Sequence, residues 1–477
     1  MTVPWWGVLP FAMLLGCIAS LPLLPQTKKL WHHNWFQLVV ALFFGLPMGI
    51  WMWFAGNEHG VIHALVEYGE FISLLLSLYV VSGGIFVSGD IRATPRNNVT
   101  FLAIGGCLAS FIGTTGAAML MIRPLLNINV ERENKVHTVV FAIFVVANCG
   151  GLLTPLGDPP LFLGMLRGVP FLWTMSLFPQ WLFVNGMLLV TYFALDRKVY
   201  SQERPAAIRL DDTEIQPIGI HGKLNFLWLA CIVLAVAKVP SVDLHHIFDG
   251  HAHWYDYVPF REIVMLSMAG ISLAFSSKKV RYEDNKFEWT PILEVAALFI
   301  GIFLAMVPAL VYLAQIAPTL PLNEVTFFAF TGGLSAVLDN APTYVTFFEM
   351  ARELPGDNRI GFAPGVPEMY LVPISLAAVF CGAVTYIGNG PNFMVKSIAE
   401  SAKVPMPSFA GYTLKWAFRY LVPVLLIMSM IFIVDDWRIR GLGILWAVVR
   451  ASHELWQAKR YPDPHHGKAL AHSSESS

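Results

Sequence analysis

The sequence predicts an all-α polytopic membrane protein with about ten to eleven transmembrane helices in two inverted repeats. Each repeat is expected to hold one re-entrant hairpin and one broken helix. Three observations predict this. The 477-residue chain is 56% hydrophobic and only 13% charged, with a mean hydropathy of +0.59, whereas a soluble protein carries nearer a quarter charged residues. Apolar runs long enough to cross a bilayer recur along the chain. Similar polar, Gly- and Pro-containing stretches interrupt corresponding runs in the two halves.

The apolar runs place spans at 3–24, 35–54, 71–89, 137–170, 171–195, 224–239, 258–276, 290–316, 367–395 and 413–434. The first run lacks a basic n-region and reads as a span, not as a cleaved signal. Lys28 and Lys29, then Arg197, Lys198, Arg204, Arg209 and Lys223, then Lys278, Lys279, Arg281 and Lys286 assign their loops to the inside. Loops 55–70 and 240–257 have acids and no Lys or Arg, and go outside.

The run 100–126 has basic residues on both flanks, Arg92 and Arg96 before it and Arg123, Arg132 and Lys135 around its end. A single crossing cannot satisfy both flanks. A hairpin that enters and leaves on the inner side can, with the glycines of GTTG (113–116) permitting the turn. The C-terminal tail breaks the charge rule: Arg438, Arg440, Arg450, Lys459, Arg460 and Lys468 fall on the outer side of this count. WRIRGLGILWAVVR (437–450) then reads as an interfacial amphipathic helix or an eleventh short span.

The halves align. NCGGLLTPLGDPPLFL (148–163) matches FCGAVTYIGNGPNFMV (380–395), pairing Thr154 with Thr385, Gly157 with Gly388 and Asp158 with Asn389. SFIGTTGAAML (110–120) matches SAVLDNAPTYV (335–345), setting Thr114 and Thr115 opposite Asp339 and Asn340. The order is kept, and an odd number of crossings per half inverts the second. The division is a first repeat 1–195 (hairpin 100–126, break 154–160) and a linker 196–223. A second repeat, 224–434 (hairpin 323–350, break 385–392), and a polar tail, 435–477, follow.

Pro155, Pro159 and Pro160 lack an N–H, so 154–160 cannot be continuous helix. Irregular backbone at membrane depth is tolerated only inside protein or along a cavity. Two such breaks at matched positions, met by two hairpin tips, point to a binding site at the repeat interface. Exposed carbonyls, hydroxyls, Asn oxygens and a carboxylate are hard ligands for a small cation such as Na⁺. Half-helix N-termini suit an anion instead. A charged group inside a span costs about 3 kcal/mol on insertion scales and is a functional candidate by default. Asp158 and Asp339 are therefore the expected Na⁺ ligands, each able to exchange Na⁺ for H⁺. Asn340, Thr114, Thr115, Asn148, Thr154, Thr343, Thr385, Asn389 and Asn392 are the expected polar lining. Plain readings compete. Asp339 could only cap a helix, and membrane Thr often bonds back to its own helix.

ANCGGLLTPLGDPPL (147–161) and GGLSAVLDNAPTYV (332–345) resemble signature segments of the ion transporter superfamily. Within it, the chain is similar to NhaD-type sodium/proton antiporters, with citrate (CitMHS-like) and arsenite transporters as cousins. The resemblance implies broken helices, two opposed hairpins, a scaffold and a transport domain, and often a homodimer. Its pattern carries onto Asp158, Asp339 and Asn340. Two positions depart from it. Gly113-Thr114 stands where the antiporters have Asp-Asn, and Pro159-Pro160 where they have hydroxyl residues, which implies that one of two cation sites is weakened.

The expected function is secondary active transport: sodium/proton antiport, or alternatively Na⁺- or H⁺-coupled uptake of citrate or a dicarboxylate. The setting is an integral, multi-pass protein of a bacterial inner membrane. The expected partners are membrane lipid and a small ion or carboxylate. No nucleic acid is expected, and no cofactor beyond the transported Na⁺ and H⁺. Absence of HExxH or GxSxG argues against an enzyme. The five cysteines lie in apolar segments and read as small hydrophobes. The loop histidines His32, His33, His245, His246, His251 and His253 have spacings that fit no metal site.

Overall fold

The computed structural model describes residues 2–461 apart from 23, 25, 32 and 214, so His32 and Lys468 lie outside the described residues. The chain is nearly all helical. Among the described residues, five stretches are long and apolar enough to cross a membrane: Asn34–Phe54, Glu58–Ser82, Trp173–Tyr200, Thr290–Thr319 and Phe409–Phe432. Shorter apolar helices lie at Trp5–Ser20, Val136–Leu152, Leu224–Lys238 and Glu368–Val384.

Helices α1 (Leu9–Ser20), α2 (Asn34–Phe54) and α3 (Glu58–Ser82) open the chain. Strand β1 (Phe86–Asp90) leads to α4 (Pro95–Ile112), α5 (Thr114–Ile128), α6 (Val136–Val145), α7 (Pro159–Leu166) and α8 (Phe178–Tyr200). Strand β2 (Gln216–His221) precedes α9 (Leu224–Lys238), α10 (Phe260–Phe275) and α11 (Thr290–Ile316). The rest is α12 (Glu324–Ser335), α13 (Asn340–Arg352), α14 (Glu368–Cys381), α15 (Gly390–Ser401), α16 (Val422–Phe432) and α17 (Trp437–Arg460).

Helices α2 and α11 pack along each other and, with α1 and α3, form one body. Small residues let the α2 and α11 backbones touch. A Cβ added at Gly301 would lie 2.2 Å from the Ala41 carbonyl oxygen, and one at Gly45 would lie 2.5 Å from that of Gly301. Such close approach is how helices associate where water supplies no drive.

Two segments differ from the sequence-based expectation. Helix α3 begins at Glu58, so most of 55–70, expected as a loop, is helix. Its buried Glu67 and Glu70 signal a loop only while their partners are unknown. Glu67 accepts from Arg167 and Glu70 from Arg261, each at 2.8 Å and 100 and 191 residues away. Residues 86–89, expected as the end of the span 71–89, lie in β1 instead. It pairs antiparallel with β2, drawn from the supposed linker, in the register Phe86↔His221, Val87↔Ile220 and Ser88↔Gly219. The end of α3 is closed by side chains from beyond the linker. Arg281 donates to the Val80 carbonyl, Asn285 to that of Gly83 at 2.9 Å, and Asn225 to that of Gly84 at 3.0 Å. The C-terminal carbonyls of a helix need donors, and a cation there also meets the negative end of its dipole. The segment 437–450, read from the sequence as an interfacial helix or a short span, is helical and belongs to the 24-residue α17, packed on α8 and α16.

Candidate functional site

Four segments break: two at Gly-Pro-Asx clusters (154–160 and 385–392), one at Gly113 and one at Asp339-Asn340 ahead of Pro342. Between α4 and α5 the chain turns on one residue, Gly113, at φ +81°, a conformation that favours glycine. Helix α6 ends at Val145, a short 3₁₀ turn covers Cys149–Leu152, and α7 restarts at Pro159. Proline at the first helical position costs nothing there because its missing N–H would be unpaired anyway. Helices α12 and α13 are separated by 336–339. Helix α14 ends at Cys381, Gly382–Val384 is 3₁₀, and α15 restarts at Gly390 followed by Pro391. Helices α4 and α5 pack together, as do α12 and α13.

The two broken segments are braced alike. Thr154 donates its hydroxyl to the Ser110 carbonyl of α4, and Thr385 donates to the Ala336 carbonyl just after α12. Each hydroxyl also accepts an amide two residues on, Leu156 N and Ile387 N, both at 3.2 Å. Each bend also needs a matched glycine pair. A Cβ at Gly157 would lie 2.0 Å from the Gly151 carbonyl oxygen, and one at Gly388 would lie 2.6 Å from that of Gly382.

All four restarts meet at one buried carboxylate. Asp158 directly precedes α7, with one oxygen accepting from Thr114 Oγ1 at 2.9 Å and Asn389 Nδ2 at 3.1 Å. The other oxygen accepts from Asn340 Nδ2 at 2.6 Å. Thr114 begins α5, Asn340 begins α13, and Asn389 directly precedes α15. The positive ends of four helix dipoles thus surround Asp158. The Thr114 amide bonds the Gly157 carbonyl at 2.8 Å, seating the first hairpin on the first break.

A second layer ties the halves together. Asn389 Nδ2 also reaches Asn148 Oδ1 at 3.1 Å, and Asn148 Nδ2 donates to Asn392 Oδ1 at 2.6 Å. Asn392 Nδ2 donates to the carbonyls of Gly382 and Thr385 at 2.8 and 2.9 Å. Asn340 Oδ1 is buried with no partner among the described residues.

The structure therefore brings Asp158, Thr114, Asn340, Asn389, Asn148 and Asn392 into one network, with Thr154 and Thr385 bracing it. Thr343, Thr115 and Asp339 of the expected set do not bond to Asp158. The Thr343 hydroxyl bonds back to the Asp339 carbonyl at 2.9 Å, and Thr115 is half-buried and is not among the donors to Asp158. Asp339 is half-buried, and its carboxylate caps α13 through the Ala341 amide at 3.1 Å. Sequence reasoning missed Ser110 and Ser335. Ser110 donates to the Gly150 carbonyl and Ser335 to that of Ala378. The signal was present, because the two serines open the matched hairpin segments.

Arg132, Arg167, Arg261 and Arg281 are buried, which the apolar pattern did not suggest. Each is engaged elsewhere: with Asp196, with Glu67 and Glu349, with Glu70 and Glu262, and with the end of α3. Arg167 follows α7 at the end opposite Asp158, about 12 Å along the helix axis.

Two comparisons with known proteins bear on this arrangement. No curated protein matches the chain. A family model does, and its description reads "Putative citrate transport". The match covers residues 1–433, taking in both hairpins, both broken helices and the last long apolar stretch. The chain is thus an integral membrane protein and belongs to this citrate transport family.

Proposed function

We propose that the protein is a secondary transporter that carries citrate or a related carboxylate across the membrane together with a coupling cation. One observation carries the reading: four helix N-termini, from both halves of the chain, converge on Asp158. Helix N-termini offer free N–H groups and a positive potential, which suits a carboxylate substrate. The Asp158 carboxylate, the free Asn340 Oδ1 and the nearby Asp339 supply hard oxygens, which suit Na⁺ or a proton. The family match supports the carboxylate branch.

Asp158 acts as the coupling-ion ligand in this proposal. With the cation absent, its three side-chain donors hold it; with the cation bound, Asn340 turns its oxygen inward. Alternating access follows from moving the paired hairpins and half-helices as a unit against the body built on α2 and α11.

Sodium/proton antiport is the second reading, favoured by two buried or half-buried acids, Asp158 and Asp339, while the buried arginines among the described residues are engaged elsewhere. Purified protein in liposomes with an internal pH dye separates the two. Saturable uptake of labelled citrate, driven by an inward Na⁺ or H⁺ gradient, is the expected result. A pH change on adding Na⁺ or Li⁺ without citrate, lost in Asp158→Asn, moves the protein to the antiporter branch.

A further inference from the structure

The segment between α9 and α10 carries a second cluster of ligand-type side chains, remote in sequence from either break. We infer that Asp243, His246 and Asp256 form a binding site for a divalent transition-metal ion of the Zn²⁺ class. It is independent of the transport reading above.

The spacing of the donor atoms carries the inference. His246 Nδ1 lies 3.4 Å from Asp243 Oδ2 and 3.6 Å from Asp256 Oδ1. All three donor atoms fall within 4.8 Å of one another. These contacts are long for hydrogen bonds. Unhindered ion pairs elsewhere in the molecule close further, as Arg167 does on Glu67 at 2.8 Å. The edges of a tetrahedron with metal–ligand bonds of about 2.0–2.2 Å measure roughly 3.3–3.6 Å. Two edges of the triangle already have that length, and the third closes as the ion binds.

The other oxygen of each carboxylate is already committed. Asp243 Oδ1 accepts the His246 amide at 3.2 Å, and Asp256 Oδ2 accepts the His253 amide at 2.8 Å. Both carboxylates are thereby oriented with one oxygen toward the imidazole, as outer-shell bonds orient ligands in built metal sites. The Asp243 amide bonds the Asp256 carbonyl at 2.9 Å, pinning together the two stretches that supply the ligands. Asp256 forms the floor of the site, with its side chain only 6% exposed, while His246 at 57% leaves an open path for an ion and for water in the remaining position.

One imidazole with two carboxylates suits Zn²⁺, Co²⁺, Mn²⁺ or Ni²⁺. It offers too few oxygens for Ca²⁺ and too soft a ligand for Mg²⁺. The histidine spacing concealed the site because only one histidine takes part. The missing ligand is Asp256, ten residues on, carried by the 3₁₀ turn Trp254–Tyr257. A bound ion would clip this segment in place above α3 and α10. The Phe248 ring packs against His59 of α3 with centroids 4.0 Å apart, and Ser241 donates to Glu262 of α10 at 2.6 Å.

The test uses the purified full-length chain in detergent, stripped with a chelator and titrated with Co²⁺ and then Zn²⁺. One equivalent of Co²⁺ is expected to bind tightest, to give a visible d–d absorption band, and to be displaced by Zn²⁺. His246→Ala and Asp243→Asn change exposed side chains, so their apo melting temperature should match wild type. Both should lose the band, with affinity for this equivalent down by more than about 100-fold. His251→Ala should keep it. The inference is overturned if wild type gives no band, or if His246→Ala and Asp243→Asn keep wild-type stoichiometry and affinity.

Discussion

At the residue scale, Asp158 bonds to all three other discontinuous segments. Asp158→Asn keeps the shape but removes the charge that three donors face. A hydrogen bond to a charged acceptor is worth about 1.5–3 kcal/mol. Gradient-driven uptake into liposomes should therefore fall at least about tenfold, with the melting temperature within a few degrees of wild type. Wild-type uptake by this variant would remove Asp158 from the site. The glycines offer a sharper contrast, because two of them stand two residues apart. Gly388→Ala drives a methyl into the Gly382 and Ser335 carbonyl oxygens, both 2.6 Å away, whereas Gly390→Ala meets nothing within 4 Å. Overpacking costs about 1–3 kcal/mol, and more where backbone cannot yield, while Ala in place of Gly in a helix gains up to about 1 kcal/mol. Thermal melts in detergent should show the first variant strongly destabilised and the second unchanged or improved.

At the element scale, α7 is held at both ends. Its start carries Asp158, and just past its end Arg167 bridges Glu67 of α3 and Glu349 of α13 at 2.8 and 3.1 Å. This clamp joins the first broken helix to the second hairpin and to a neighbouring long helix. Removing one partner of a buried pair costs about 3–5 kcal/mol, because the other charge is left uncompensated. Arg167→Met should thus lower stability by that amount, and adding Glu67→Gln should restore part of it. A double-mutant cycle by thermal melting checks this, and additive effects would mean that the two side chains do not act together. The threonine braces belong to the same scale. Thr385→Val removes two hydrogen bonds, to the Ala336 carbonyl and from the Ile387 amide, and each stranded group costs about 1–3 kcal/mol. A melt unchanged within about 0.5 kcal/mol would show that the brace contributes nothing.

At the scale of the whole molecule, the family match stops at residue 433, and α17 begins four residues later at Trp437. Helix α17 buries little of itself, chiefly Gly443, Ala447 and Ala458, and leaves Trp437, Leu442, Leu445, Val448, Val449 and Trp456 exposed. It packs on α8 and α16, with Gly443 against Met430 and Ile431 and Arg450 donating to the Tyr420 carbonyl at 3.1 Å. None of these contacts reaches Asp158. A chain truncated after residue 434 should keep gradient-driven uptake while melting a few degrees lower. Loss of uptake in a folded truncation would make α17 part of the transport machinery.

The amino-acid sequence by itself determined the class of the molecule, the two hairpins and the two breaks. Those features are local: an apolar run of sufficient length, a glycine that permits a turn, a proline with no N–H to give. It also determined which positions correspond, so that Thr154 and Thr385 could be paired before their matching bonds were seen. Only the tertiary structure decided which polar groups meet. Asn340 lies 182 residues from Asp158, and Asn389 lies 231 away. A charge pattern cannot show that Glu67, Glu70, Arg167 and Arg261 are paired inside the protein. Nor can histidine spacing show that Asp256 folds back onto His246. The physical reason is the same in each case. The cost of burying a polar group is a property of the residue, but its compensation belongs to a partner that only the folded chain brings within reach.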